Sequence, residues 1–290
     1  MLPAAEIRRA VRQGLEEDLG QGDATTSALF RSAVPARARI IAQQPLVIAG
    51  IAAAVQTFMT VGPSLAITVL KKDGSEVKTG ETLMTIEGDG RSILMAERLA
   101  LNFLQHLSGI ATLTHRFCRS VRRYPVAILD TRKTTPGWRA IQKWAVALGG
   151  GTNHRRSLAD GILIKDNHLR LLKHKQAVHE ACRLVKRTVA AGRQIIVEVE
   201  SLREVAQAVA GRADIILLDN MTPALVKRAV RMINRRALVE VSGGITLKNV
   251  RAMAAAGPDR ISVGALTHSA PAAIISLDLE PAVPRRRKSR

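Results

Sequence analysis

IIVEVE (195–200), IILLDN (215–220), LVEVSGG (238–244) and RISVGAL (260–266) are the stretches that decide the fold. Each is a short apolar run of strand length that ends in polar residues or glycine. Helix-length segments such as SLREVAQAVA and TPALVKRAVRMI lie between them. Successive runs begin 20 to 23 residues apart, which leaves room for one strand, one helix and two tight turns. Strands that alternate with helices pair in parallel. The spacing therefore predicts βα units closing into an α/β barrel. Two earlier runs, VAILDT (126–131) and GILIKD (161–166), extend the series. An open, doubly wound sheet is the alternative, but no GxGxxG fingerprint follows any strand to support it.

Upstream the texture differs. Residues 3–19 read as an amphipathic helix, with Ile7, Val11 and Leu15 on one face. GQGDATT (20–26) then turns the chain, with Asp23 as a candidate N-cap. From Ala36 to Glu87 come β-rich stretches, ARIIAQ, LVIAG, LAITVL and LMTIEG, separated by turns at Asp73-Gly74 and Gly80. They predict an α+β domain with a mostly antiparallel sheet. A helical pattern follows from Arg91 to Val121. It is apolar on nearly every side between Leu99 and Ile110, so burial between two domains is expected.

Composition narrows the class. Of 290 residues 47% are apolar but only 2% aromatic, so Ala, Val, Leu and Ile must fill the core, as suits parallel strands under helices. No apolar run approaches the roughly 20 residues that span a bilayer. The N-terminus lacks an apolar signal core. Cys118 and Cys182 match no metal spacing, and a reducing cytoplasm is the expected location. The formal net charge of +20 is compatible with nucleic acid, anionic membrane or anionic small substrates. Part of it lies in the tail PRRRKSR (284–290), which reads as a solvated end.

The placement of polar residues is more informative than their number. Asp130-Thr131-Arg132-Lys133 ends the first barrel strand and Lys165-Asp166 the second. Glu198 and Glu200 belong to the third, Asp219-Asn220 ends the fourth, Ser242-Gly243-Gly244 the fifth and Gly264-Ala265 the sixth. One charge at a strand end is an ordinary cap. Six such ends in succession face the single mouth where barrels of this class do chemistry. Arg132, Lys133, His154, Arg155 and Lys165 form a cationic group, and GGGTNHRR (149–156) adds backbone N–H groups able to approach an anion. Clustered like charges repel, so a polyanionic ligand is expected. Glu198 and Asp219 form a second group, suited either to a divalent metal or to sugar hydroxyls. Arg98 lies among apolar residues of the long helix. It would be costly to bury unpaired, and reads either as an internal salt bridge, with Glu97 among the candidates, or as a residue aimed into an active site.

EDLGQGDAT, ERLALNFLQHLSGIAT, DTRKTTPGWR, ALGGGTNHRRSLADGILIKDNH, IILLDN, VEVSGGI and SVGALTHS together resemble the quinolinate phosphoribosyltransferases, the carboxylating nicotinate-nucleotide pyrophosphorylases of NAD biosynthesis. The resemblance implies an N-terminal α/β sandwich over residues 1–115, with 270–290 packing back on it. It also implies an incomplete, seven-stranded α/β barrel over 116–269. It implies a homodimer or higher homo-oligomer in which Arg98 reaches the neighbouring subunit's site. Arg132, His154 and Arg155 would grip the two quinolinate carboxylates, helped by Lys133 and Lys165, which would also hold phosphoribosyl pyrophosphate. Glu198 and Asp219 would bind Mg2+ and the ribose hydroxyls. Thr131, Ser242, Gly243, Gly244, Gly264, Ala265 and His268 would complete the substrate contacts. The implied catalytic set is Lys133, Lys165, Glu198 and Asp219. Trp138 and Trp144 stand where smaller apolar groups would be expected. A paralogue from a molybdenum locus, with the same barrel and another acceptor, is one rival reading. A nucleic-acid-binding protein is the other, weakened by the scarcity of stacking aromatics.

Overall fold

The computed structural model describes residues 4–188 and 193–282. The described residues divide into two compact units, one drawn from segments 4–113, 135–149 and 270–282, the other from 114–134, 150–188 and 193–269. Along the chain come α1 (Ala4–Leu19), α2 (Ala24–Leu29), β1 (Pro35–Ala42), β2 (Leu46–Val47), α3 (Ile51–Val61) and β3 (Ala66–Val69). Next are β4 (Glu76–Val77), β5 (Thr82–Asp89), α4 (Gly90–Val121), β6 (Ala127–Leu129), α5 (Arg139–Leu148) and β7 (Ile162–Ile164). Then follow α6 (Asp166–Leu172), α7 (Ala177–Thr188), β8 (Ile195–Val199), α8 (Leu202–Ala210), β9 (Ile215–Asp219) and α9 (Pro223–Ile233). The chain continues with β10 (Leu238–Ser242), α10 (Val250–Ala255), β11 (Arg260–Ser262), α11 (Ala265–His268) and β12 (Ile275–Pro281). No described helix is long and apolar enough to cross a membrane.

The first unit is built on a four-stranded antiparallel sheet in the order β12-β1-β5-β3. The sequence of β1, PARARIIA, explains its central place: Ala36, Ala38, Ile40 and Ala42 are buried, while Arg37 and Arg39 on the other face are exposed. Period-two alternation of this kind pins the register, because a slip of one residue would bury the arginines. β12 pairs with β1 along its whole length, from Ala36↔Pro281 to Ala42↔Ile275. Ile93, Ala96, Ala100 and Leu104 of α4 join the same core as β1 and β5. Ser108, also buried on α4, accepts from Ala49 N (3.0 Å) and donates to Ala49 O (3.1 Å), so its hydroxyl is satisfied. At Gly109 a Cβ would meet Pro271 O at 2.1 Å, so only glycine lets the returning C-terminal segment lie against the helix.

Three expectations need correction here. LVIAG is a strand only at Leu46–Val47, and the following IAAAVQTFMTV is α3, a helix inside a region read as β-rich. Gly50, at φ 108°, ends the extended run. The Asp73 carboxylate then accepts from Ile51 N (2.9 Å) and Ala52 N (3.4 Å), capping the helix from a distant turn. Second, α5 and its preceding turn belong to the first unit, although residues 116–269 were assigned to the barrel. Trp138 stacks on Phe103 (centroids 5.0 Å apart) and meets His106 edge-on, while Gln142 binds His106 at 2.8 Å. The unexpected tryptophan is thus part of what ties this segment to α4. Third, Arg98 is exposed, so the alternative of a buried internal salt bridge does not hold.

The second unit is a six-stranded parallel sheet in the order β6-β11-β10-β9-β8-β7. Seven strands were expected. The seventh position is reduced to a single parallel bridge, Leu129↔Thr152, closed by Thr152 N to Ile128 O at 2.8 Å and Asp130 N to Thr152 O at 3.2 Å. Glycines at 149–151 precede it, and glycine disfavours a longer strand. At the opposite ends of the strands two aspartates set the register: Asp214 accepts from Ile195 N and Asp259 from Val239 N, both at 2.7 Å. Within the sheet, Ile196, Ile215 and Leu217 form an apolar cluster with Leu163 packed against it.

Candidate active site

Strand alternation generates the site. Lys165, Glu198, Asp219 and Ser242 each follow by two residues a side chain on the same face of their strand, namely Leu163, Ile196, Leu217 and Glu240. Above the apolar cluster these faces open into a cleft of about 580 Å³ lined from every strand of the parallel sheet or the loop that follows it. Because all six contribute, the sheet is curled as an incomplete barrel. Of the residues expected to bind substrate, all but Arg98 line this cleft: Thr131, Arg132, Lys133, His154, Arg155, Lys165, Glu198, Asp219, Ser242, Gly243, Gly244, Gly264, Ala265 and His268. Glu200, one residue past β8, is exposed and does not line it.

The cationic side is held by a framework of short polar bonds. Asp130, fully buried, accepts from Asn153 Nδ2 (2.7 Å) and from His154 N (2.8 Å), fastening the glycine-rich loop to the end of β6. Thr131 Oγ1 accepts from Lys133 N (3.0 Å), and Thr267 Oγ1 donates to Lys133 O (2.8 Å). Arg155 N donates to His154 Nδ1 at 2.7 Å, and the Arg155 guanidinium reaches Gly161 O at 3.4 Å. Its Nε is buried with no hydrogen-bond partner. Burial, followed by the like charge of Arg132, lowers the Arg155 pKa from its ordinary value, and Asp160 partly opposes this. Two guanidinium groups in mutual repulsion are most stable with an anion between them.

The carboxylate side is built differently. Lys165 Nζ lies 2.9 Å from Glu198 Oε2, the lysine about half exposed and the glutamate largely covered. Asp219 accepts from Asn220 Nδ2 at 2.7 Å. Asn220 takes a left-handed φ of 53°, and its N donates to Ser242 O at 2.9 Å. Gly243 (φ 91°) lies so close that a Cβ would meet Asn220 Oδ1 at 2.2 Å. The glycine is required by conformation and by space together.

Sequence reasoning missed Leu163, Leu217, Glu240, Ile245, Thr246 and Ser262, all of which line the cleft. The apolar ones carry no chemical signal. Glu240 did carry one: it is the charge in the middle of LVEVS, two residues before Ser242 and so on the same face. It is fully buried, 3.2 Å from His154 Nε2 and hydrogen-bonded by Ser262 Oγ. Among the described residues no group of three or more His, Cys, Asp or Glu side chains is placed to hold a metal by itself.

Residues 23–108 match the family model of the quinolinate phosphoribosyl transferase N-terminal domain, and residues 110–278 that of the C-terminal domain. A Methanocaldococcus jannaschii protein described as "probable nicotinate-nucleotide pyrophosphorylase [carboxylating]" is 40% identical over 280 residues, covering 93% of this chain and 96% of its own. A Bacillus subtilis protein of the same description is 36% identical over 274 residues, covering 94% and 93%. The solved nicotinate-nucleotide pyrophosphorylase of Francisella tularensis superposes with a TM-score of 0.89 at 37% identity, covering 97% of this chain and 98% of that one.

Proposed function

Because the chain belongs to the quinolinate phosphoribosyltransferase family, we propose that it joins quinolinate to phosphoribosyl pyrophosphate, yielding nicotinate mononucleotide, pyrophosphate and carbon dioxide. The observation that carries this reading is a single cleft lined both by the neighbouring guanidinium groups of Arg132 and Arg155 and by the carboxylates of Glu198 and Asp219.

A pyridine dicarboxylate supplies the anion that relieves the arginine repulsion, each charge-assisted bond contributing about 1.5–3 kcal/mol. The ring nitrogen then attacks C1 of the ribose as the C1–O bond to pyrophosphate breaks. Positive character develops on the sugar, and Glu198 and Asp219 stabilise it while accepting hydrogen bonds from the ribose hydroxyls. Lys133 and Lys165 neutralise the departing pyrophosphate. The backbone turns at Ser242-Gly243-Gly244 and Gly264-Ala265, with Thr131 and His268 beside them, hold the phosphoribosyl group. Ribosylation leaves the ring nitrogen positive. The neighbouring carboxylate departs as carbon dioxide, its electron pair stays on the ring carbon beside that charge, and a proton replaces it. Two carboxylates in one cleft would fit a hard divalent cation such as Mg2+. Glu198 and Asp219 would hold it, and the ion supplies charge neutralisation at the pyrophosphate.

Arg98 fits the same reading as a residue lent to a second subunit. It is exposed on α4, and Asn102, one turn on, is exposed as well. In a homodimer Arg98 of one subunit adds a guanidinium to its partner's cleft. Two free cysteines, Cys118 and Cys182, accord with a cytoplasmic enzyme.

The test is an assay with phosphoribosyl pyrophosphate and either quinolinate or nicotinate. Nicotinate mononucleotide with one equivalent of carbon dioxide from quinolinate, and no product from nicotinate, is expected. Product from nicotinate alone would sink the assignment. Mixing Arg98→Ala and Lys165→Ala proteins should restore activity through hybrid dimers that carry one intact site. Proven hybrids without activity would rule out shared sites.

A further inference from the structure

The parallel sheet has a second rim, at the starts of its strands and away from the cleft. The strands begin in register there: Asp214 N donates to Ile195 O (3.0 Å), Leu238 N to Asp214 O (3.0 Å), Asp259 N to Val239 O (2.9 Å) and Ala127 N to Asp259 O (3.0 Å). Arginines stand just ahead of this line. Arg193 comes two residues before β8, Arg212 three before β9 and Arg235 three before β10, while Arg122 and Arg123 lead into β6. In the sheet order β6-β11-β10-β9-β8 these segments are neighbours, with β11, which itself starts at Arg260, between β6 and β10. Adjacent strands lie about 4.8 Å apart, so five guanidinium groups gather along one edge of the unit.

Arg122, Arg123, Arg193, Arg212 and Arg235 are all exposed, and none of them pairs with a carboxylate among the described residues. The acidic groups of this rim are committed to the main chain: Asp214 accepts from Ile195 N and Asp259 from Val239 N, both at 2.7 Å. Cations near helix C-termini offset the helix dipole, but other residues serve that purpose here. Lys186 donates to Arg212 O (2.6 Å), and Arg236 to Met232 O (2.6 Å) and Ile233 O (3.0 Å). Arg212 (φ 54°) and Arg235 (φ 58°) also take the left-handed backbone conformation that favours glycine. A turn alone does not account for arginine at either position.

We propose that this rim binds the phosphate backbone of double-stranded nucleic acid without reading its sequence. The planar guanidinium fork matches phosphate oxygens, and backbone contacts of this kind carry sequence-independent binding. Aromatics make up only 2% of the chain, which leaves little to stack on unpaired bases and favours a duplex over a single strand. The rim lies at the strand ends opposite those that build the cleft, so duplex and cleft ligand do not compete.

The test is fluorescence anisotropy of a labelled DNA duplex of about 20 base pairs and arbitrary sequence, titrated with the whole protein from about 50 to about 200 mM salt. With four or five phosphates neutralised, affinity should fall about 10²- to 10³-fold over that range. The double variant Arg212→Gln, Arg235→Gln should bind more weakly and reduce the slope of log K against log salt by about 2. A second pair, Arg123→Gln with Arg193→Gln, avoids the left-handed positions and should reduce the slope equally. Removing the same charge from the outer face of the antiparallel sheet, with Arg37→Gln and Arg39→Gln, should leave affinity and slope at wild-type values. Melting temperatures should confirm that each variant is folded. No duplex binding at the lowest salt would overturn the proposal. So would binding that survives both rim pairs, which would assign it to another basic segment such as 285–290. Displacement of the duplex by phosphoribosyl pyrophosphate, or binding of anionic vesicles in its place, would overturn it as well.

Discussion

In β1 the two-residue alternation sends small apolar side chains to the core and Arg37 and Arg39 to solvent. In β8 and β9 the same period places Ile196 and Leu217 beneath Glu198 and Asp219 on one face, so polarity changes along the face rather than across the sheet. The antiparallel sheet wets one side and buries the other. The parallel sheet curls its inner face into a cleft, apolar at the base and ionic at the mouth. Charges pointing outward from the first sheet are solvated, as in the half-exposed pair Arg37–Glu87. Charges pointing inward from the second are held by named partners and face a shared space.

Substitutions can break this contrast at either end. Removing an inward charge should have the largest effect: Asp219→Asn should lower kcat/KM on the order of 10³-fold, measured by steady-state assay, with an unchanged melting temperature. Loss below tenfold would show that this carboxylate is not catalytic. Next, Ile40→Ala opens a cavity under the first sheet and should cost about 2–5 kcal/mol of stability in denaturant titration. The kinetic constants of the folded protein should stay near wild type. If they collapse instead, the two sheets are not separable in function.

A smaller effect is expected for Arg155→Lys, which keeps the charge and loses the planar fork. The KM for quinolinate should rise about tenfold with little change for phosphoribosyl pyrophosphate, and equal changes in both would reassign the residue. Smallest of all is Arg37→Ala. Its ion pair with Glu87 (2.9 Å) joins two half-exposed side chains, so a stability change within about 0.5 kcal/mol is expected. A loss above 2 kcal/mol would mean that the outer face of this sheet is not simply solvated.

Much of this contrast was legible beforehand. The strand runs, their spacing and the polar residues at their ends identified the parallel sheet and most of the charged lining of the cleft, Glu240 excepted. Helix α3 was not legible, because a short apolar, alanine-rich run between strands reads either way until its cap is known, and that cap comes from Asp73, more than twenty residues along the chain. The allegiance of α5 was hidden for a similar reason: it depends on Trp138 meeting Phe103 and His106. The missing seventh strand could have been suspected from the three glycines before Thr152.

Periodicity and side-chain chemistry are local properties, so the sequence by itself determined which segments pair in parallel, which residues end each strand and that the site is both cationic and acidic. Whether a given ionisable group meets substrate or another protein group depends on approach between residues far apart in the chain. Only the tertiary structure could place Glu240 and Ser262 against His154 and leave Arg98 exposed. The physical reason is that a hydrogen bond is decided within a few tenths of an ångström, a precision that spacing along the chain does not carry.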